Sequence, residues 1–172
     1  FVALDDSKRL ADLNDHEDPV AILMSRRSEL KTIDSILANT PFIPPITVAE
    51  ISSGYGSRRD PFNGRGAMHG GIDLLPRDMK RPILVQAPGR VTRAGWNGPY
   101  GRFVEVDHGN GFVTRYGHMR KILVKAGDKL ALNSPIGYVG SSGRSTGAHL
   151  HYEIRFDGRP LNPLNFFKIA DD

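Results

Sequence analysis

The run His149-Leu150-His151-Tyr152-Glu153-Ile154-Arg155-Phe156 alternates strictly, with Leu150, Tyr152, Ile154 and Phe156 on one side and His149, His151, Glu153 and Arg155 on the other. A period of two is strand geometry, so this segment commits the chain to a sheet with one apolar face on a core. The opposite, histidine-bearing face reads as an open working surface. Shorter β-rich runs at 83–87, 89–95 and 102–107 precede it, separated by Pro, Gly and Asn. Phe103-Val104-Glu105-Val106 meets Phe112-Val113-Thr114-Arg115-Tyr116 across a turn containing Asn110-Gly111, a hairpin signal because both residues tolerate positive φ. Asp157-Gly158 marks a second turn of the same kind. With 19 glycines and 12 prolines, concentrated in this half, the expected fold is mainly β, an antiparallel β-sandwich with functional loops.

The first forty residues follow another rule. A short helix is expected over 4–15 and a longer one over 20–38, with Asp18 as its cap and Pro19 in its first turn. Leu23, Leu30 and Leu37 repeat every seven residues beside Ile22, Ile33 and Ile36. Two readings stand open for that stripe: the end of a coiled coil, or packing against the same domain or a neighbouring chain. Thr40-Pro41-Phe42-Ile43-Pro44-Pro45 then stops the helix and makes a stiff linker. The expected organisation is an N-terminal helical segment at 1–40, a Pro-rich linker at 41–45, one domain at 46–167 and a tail at 168–172.

At 172 residues the chain is long enough for one domain with an appendage. It holds no cysteine, which excludes zinc fingers, disulfide scaffolds and thiol nucleophiles. No run approaches the roughly 18 apolar residues of a membrane span. The net charge of +4 favours anionic partners, but the basic residues are scattered and carry no nucleic-acid motif, so no nucleic-acid partner is expected. The chain starts at Phe1 with no initiator Met, so a processed form or a piece of a longer protein is expected, and a signal peptide or membrane anchor would lie in the preceding part.

Chemistry concentrates in two motifs. In His69-Gly70-Gly71-Ile72-Asp73 the paired glycines argue against a helix. A turn entering a strand is expected instead, its glycines letting imidazole and carboxylate converge on one ion. Together with the pair His149 and His151, this supplies two histidines and a carboxylate, the protein share of a catalytic zinc site that leaves a position for water. One histidine of the pair can bind the metal while its neighbour reaches the water, and parity alone does not say which. The combination points to a metal-dependent hydrolase. His118, in Tyr116-Gly117-His118-Met119, is placed to supply a proton or a hydrogen bond to a developing oxyanion. Loops at 97–101 and 141–146 are expected to wall the groove, with Arg144 available to a substrate carboxylate. His108 and His16 lie in no ligand-like spacing and read as structural.

Gly54-Tyr55-Gly56-Ser57-Arg58-Arg59-Asp60-Pro61-Phe62, the His69–Asp73 motif, Tyr116-Gly117-His118-Met119, Gly147-Ala148-His149-Leu150-His151-Tyr152-Glu153 and Gly158-Arg159-Pro160-Leu161-Asn162-Pro163 occur in this order. Together they resemble the M23 family of zinc metallopeptidases, the LytM or lysostaphin-type endopeptidases of bacterial cell walls. One departure is Ala148, where the family usually has proline. The resemblance implies a LytM-like sandwich over 46–167 and one zinc ion per chain held by His69, Asp73 and His151. It also implies a catalytic pair formed by His118 and His149. Its implied substrate is the peptide cross-link of peptidoglycan, reached through stem peptides in the envelope of a Gram-negative bacterium, in the periplasm. A coiled-coil or envelope-protein partner would dock on residues 1–40. Non-catalytic relatives that activate cell-wall amidases typically lose some of these five residues, and this chain keeps all five. The facial triad of non-haem iron oxygenases uses a similar donor set, but the additional His118 and His149 suit hydrolysis better.

Overall fold

A computed structural model describes residues 18–167 apart from residue 62. The helix expected at 4–15, His16 and the tail at 168–172 lie outside the described residues. Contacts divide the chain into two units, Phe1–Leu37 and Ala38–Asp172. Helix α1 spans Pro19–Ala38. Its N-terminus is capped by Asp18, whose Oδ1 accepts the Val20 N–H at 3.0 Å while its carbonyl accepts that of Ile22, as expected for a capping carboxylate. Leu23, Leu30 and Leu37 of the seven-residue stripe are exposed. No described helix is long and apolar enough to cross a membrane.

The second unit is an antiparallel β-structure. Its strands are β1 (Val48–Ser53), β2 (Gly56–Arg59), β3 (Gly66–His69), β4 (Ile72–Pro76), β5 (Ile83–Leu84) and β6 (Gly89–Trp96). They continue as β7 (Arg102–Gly109), β8 (Phe112–Met119), β9 (Lys121–Ile122), β10 (Lys129–Leu130), β11 (Pro135–Tyr138), β12 (Leu150–Phe156) and β13 (Arg159–Leu161), followed by a one-turn helix α2 (Leu164–Phe167). The large sheet runs β1-β4-β12-β8-β7-β6-β10, with β13 beside β12. A small sheet, β5-β11-β9, packs on it, and β2-β3 forms a separate ribbon. Between the two sheets lies one core, drawn from Leu74, Val91, Val104, Val106, Tyr116, Leu150, Tyr152 and Ile154 on one side and Ile83, Val85, Ile136 and Val139 on the other. Each fully buried aliphatic side chain contributes about 1.5–3 kcal/mol relative to exposure. That driving force fixes the parity of β12, since a slip of one residue would turn His151 and Glu153 into the core.

Both expected hairpin turns are present. Asn110 and Gly111 have φ of 50° and 83°, and Asp157 and Gly158 have 46° and 76°, the paired positive angles that match strand twist. Three details differ from the sequence expectation. The run at 83–87 keeps ladder geometry only over Ile83–Leu84, because Val85 bonds instead to the loop at Ser134 and Asn133. Phe156 lies on the apolar side but is 40% exposed at the strand end, its ring 5.0 Å from that of Phe112. The polar face is not open where it matters: His151 and Glu153 are both buried, at 7% and 2% exposed.

Candidate metal centre

Three neighbouring elements bring the two motifs together. His69 ends β3, Asp73 is the second residue of β4, and β12 pairs with β4 so that His151 stands opposite Asp73. The Gly70-Gly71 turn joins the first two. Neither glycine has a positive φ, so conformational freedom is not the reason for them. Gly71 is needed for space: a Cβ there would collide with the Tyr152 carbonyl oxygen and lie 2.9 Å from Glu153 Cγ. The expected convergence is achieved by close approach of β12, not by a left-handed turn.

His69 Nε2, Asp73 Oδ1 and His151 Nδ1 form a triangle with edges of 3.2 Å, 2.9 Å and 3.0 Å. The outer atoms of both rings decide what this triangle can hold. His69 Nδ1 lies 2.7 Å from the Gly54 carbonyl oxygen. A carbonyl only accepts, so Nδ1 carries the hydrogen and the neutral ring turns a lone pair inward through Nε2. His151 Nε2 lies 3.1 Å from Glu153 Oε1. Burial pushes the Glu153 carboxyl up, but hydrogen bonds from His151 and Tyr100 outweigh it and hold the pKa at about 2. Glu153 therefore accepts, and His151 also turns a lone pair inward, through Nδ1. Burial likewise opposes charge on Asp73, yet the two imidazoles of His151 and His69 beside it outweigh burial and hold its carboxyl below the usual range. Three acceptors facing one another at about 3 Å repel unless a cation lies among them. A proton pairs two of them, whereas a divalent ion serves all three, and two imidazoles with a carboxylate are a donor set suited to zinc. The site fits the metal.

His118 and His149 complete the arrangement. His118 Nδ1 donates to the Ser142 carbonyl at 2.8 Å and His149 Nδ1 to that of Gly147 at 2.9 Å, leaving a lone pair on each Nε2. Their rings are 4.8 Å apart, and His149 Nε2 lies 3.6 Å from Asp73 Oδ1. Burial lowers the His118 pKa to about 4, so it is neutral near pH 7. Its φ of 59° is uncommon for a non-glycine residue. Strain of this kind persists where surroundings over-determine it, and here Ser142 returns a hydrogen bond from its N–H to the His118 carbonyl.

The centre lies in a groove of about 280 Å³. Pro99 and Tyr100 form one wall, Arg144, Ser145 and Thr146 another, and Arg58 and Asp60 from the β2–β3 ribbon a third. The two loops expected to wall it, 97–101 and 141–146, do line it. Arg144, expected to be available to a substrate carboxylate, is held by Asp60 at 2.7 Å. Local sequence assigns no role to Tyr100, Arg58 or Glu153. Arg58 lies 3.5 Å from Asp73 Oδ2, and the Tyr100 hydroxyl donates to Glu153 Oε1 at 2.5 Å. Only the parity of β12 signals one of them, Glu153. His108 stands apart from this centre, in the core.

The model of peptidase family M23 matches residues 67–163, a span that contains all five side chains. The chain belongs to peptidase family M23. Among curated M23-type relatives, it is 39% identical over 123 residues to the DD-carboxypeptidase/endopeptidase Mpg of Neisseria meningitidis, covering 72% of this chain and 28% of that protein. It is 42% identical over 116 residues to the peptidoglycan DD-endopeptidase ShyA of Vibrio cholerae, covering 66% of this chain and 26% of ShyA. The chain thus spans about a quarter of the length of these two relatives. A zinc-containing peptidase from Vibrio cholerae superposes with a TM-score of 0.66 at 30% identity, over 73% of this chain and 40% of that one. The mainly antiparallel β, LytM-like fold of this M23 chain is the one that the resemblance of its motifs implies.

Proposed function

We propose that this chain is a zinc-dependent endopeptidase that hydrolyses the peptide cross-links of peptidoglycan. His69, Asp73 and His151 are assigned as the ligands of one zinc ion, and His118 and His149 as the catalytic pair. One observation carries the reading: three inward acceptors lie 2.9–3.2 Å apart, beside two further histidines whose Nδ1 atoms are tied to backbone carbonyls. The chemistry supplied by zinc bound at such a site is Lewis acidity, which polarises a carbonyl and acidifies water to a pKa of about 7. The protein supplies the proton handling. An Nε2 lone pair on His149 or His118 accepts a proton from water in the groove, and the same pair returns one to the leaving amine. As imidazolium, that pair also stabilises negative charge on the tetrahedral oxygen. Asp73 is committed as a ligand and is not the base.

The relatives' substrate supports peptidoglycan stem peptides as the partner and the cell envelope as the location, in the Gram-negative periplasm. The peptidase domain is assigned to 46–167, with 41–45 as linker and 1–40 as a helical segment for an envelope partner. Cross-linked sacculi incubated with the zinc-loaded protein should release monomeric muropeptides, and His151→Ala should release none. No release by either protein would overturn the reading in favour of a binding module that activates an amidase, and equal release by both would overturn the assignment of hydrolysis to this zinc site.

A further inference from the structure

Glu153 lies two residues beyond His151 on the same face of β12 and is 2% exposed. A carboxylate buried this deeply is tolerated only where donors surround it. Its Oε1 accepts from Tyr100 at 2.5 Å and from His151 Nε2 at 3.1 Å, and its Oε2 accepts from Arg155 at 3.0 Å with Arg115 3.6 Å away. Two arginines would suffice to balance its charge. The oxygen turned toward the metal centre is used differently, by a phenol and by the ring that presents Nδ1 to His69 and Asp73. Glu153 also packs under the turn carrying the other two ligands. A Cβ added at Gly70 would lie 3.5 Å from Oε1, and one at Gly71 would lie 2.9 Å from Cγ. The turn between His69 and Asp73 therefore rests on this carboxylate.

We infer that Glu153 is a positioning residue for the metal, fixing the ring orientation and tautomer of His151 while supporting the turn that carries His69 and Asp73. Tyr100, from the groove-walling loop, fixes Glu153 in turn. The inference rests on the ligand set proposed above. An ionised carboxylate on the outer nitrogen holds a hydrogen there and makes the inner nitrogen a stronger donor, and loss of such a partner typically weakens metal affinity 10–100-fold.

Zinc affinity, measured by competition with a chromophoric chelator, tests it without reference to substrate. Glu153→Gln, verified as folded by its thermal melt, should bind zinc about 10–100-fold more weakly than the wild type. Equal affinity overturns this inference and leaves the peptidase reading intact. A wild type that binds no stoichiometric zinc overturns both. If the variant does not fold, nitrogen NMR of the zinc-loaded wild type decides. A His151 ring bearing its hydrogen on Nε2, slow to exchange, supports the inference, and an Nδ1–H tautomer sinks it.

Discussion

His108 and His151 are buried histidines on strands of the same sheet, 4% and 7% exposed, yet their surroundings lead to opposite chemistry. His108 Nδ1 donates to the Pro88 carbonyl at 2.9 Å, and Nε2 meets the Thr114 hydroxyl at 2.8 Å. That hydroxyl meets the Tyr116 phenol at 3.0 Å. The chain is closed and neutral, both ring nitrogens are used, and burial lowers the His108 pKa. Around His151 burial acts the same way, but Asp73 and Glu153 outweigh it and raise the pKa. One cluster excludes a positive charge and the other requires one. The depth of a histidine does not tell them apart. What separates them is whether carboxylates or hydroxyls and carbonyls stand at the ring nitrogens.

That contrast can be broken at several points. The largest effect is expected from Asp73→Ala or His151→Ala, which should remove bound metal and reduce muropeptide release to background. Metal content measured on the purified variants checks this, and full retention of zinc would end the three-donor assignment. Next comes His149→Ala, which should keep its zinc while losing about 10²–10⁴ in turnover, the usual worth of a positioned acid–base group. Loss of zinc there instead would mean that the two histidines of the pair are exchanged.

Gly101→Ala probes how the loops hold His118. Gly101 has a φ of 65°, and a Cβ would collide with the Ser142 backbone, whose carbonyl holds the His118 ring. A stability loss of about 1–3 kcal/mol is expected from the strained backbone alone, together with reduced turnover at temperatures where the variant is folded. An unchanged melt would show that the loops part easily.

The smallest effect belongs to the neutral cluster. His108→Ala leaves the Pro88 carbonyl and Thr114 hydroxyl without their partner, a cost of about 1–3 kcal/mol, with turnover unchanged at temperatures where it is folded. Its signature is in the pH dependence. The folded His108 resists protonation while the unfolded chain takes up a proton near pH 6.5, so the unfolded state binds more protons and stability rises with pH. The contribution is complete above about pH 6.5 and is lost as pH falls toward the depressed folded value, at up to about 1.4 kcal/mol per pH unit. Denaturant melts across that window should show His108→Ala with the shallower slope.

Much of the centre is legible in local sequence. The alternation from His149 to Phe156 carries strand parity, because the core accepts only Leu150, Tyr152 and Ile154 and so turns the histidines the other way. Spacing also marks His69 and Asp73 as candidates. Other features resist reading for physical reasons. Tyr100 sits between Pro99 and Gly101 in a loop, and nothing local ties it to a carboxylate 53 positions away. Gly71 reads as a hinge because flexibility is the default meaning of glycine, whereas its function depends on how closely β12 passes. Arg144 reads as available to substrate, whereas a loop 84 positions distant supplies Asp60 to it.

By itself, the sequence determined the antiparallel β class, the capped helix and the residue types of a metal site. Those follow from local periodicity, turn chemistry and donor identity. The tertiary structure alone decided which nitrogen of each ring faces inward and which carboxylate stands behind His151. It also decided that His151 and Glu153 on the polar face of β12 are buried rather than open. Those properties depend on partners brought within hydrogen-bonding distance by sheet pairing and loop packing. No local pattern encodes a distance between residues 69 and 151.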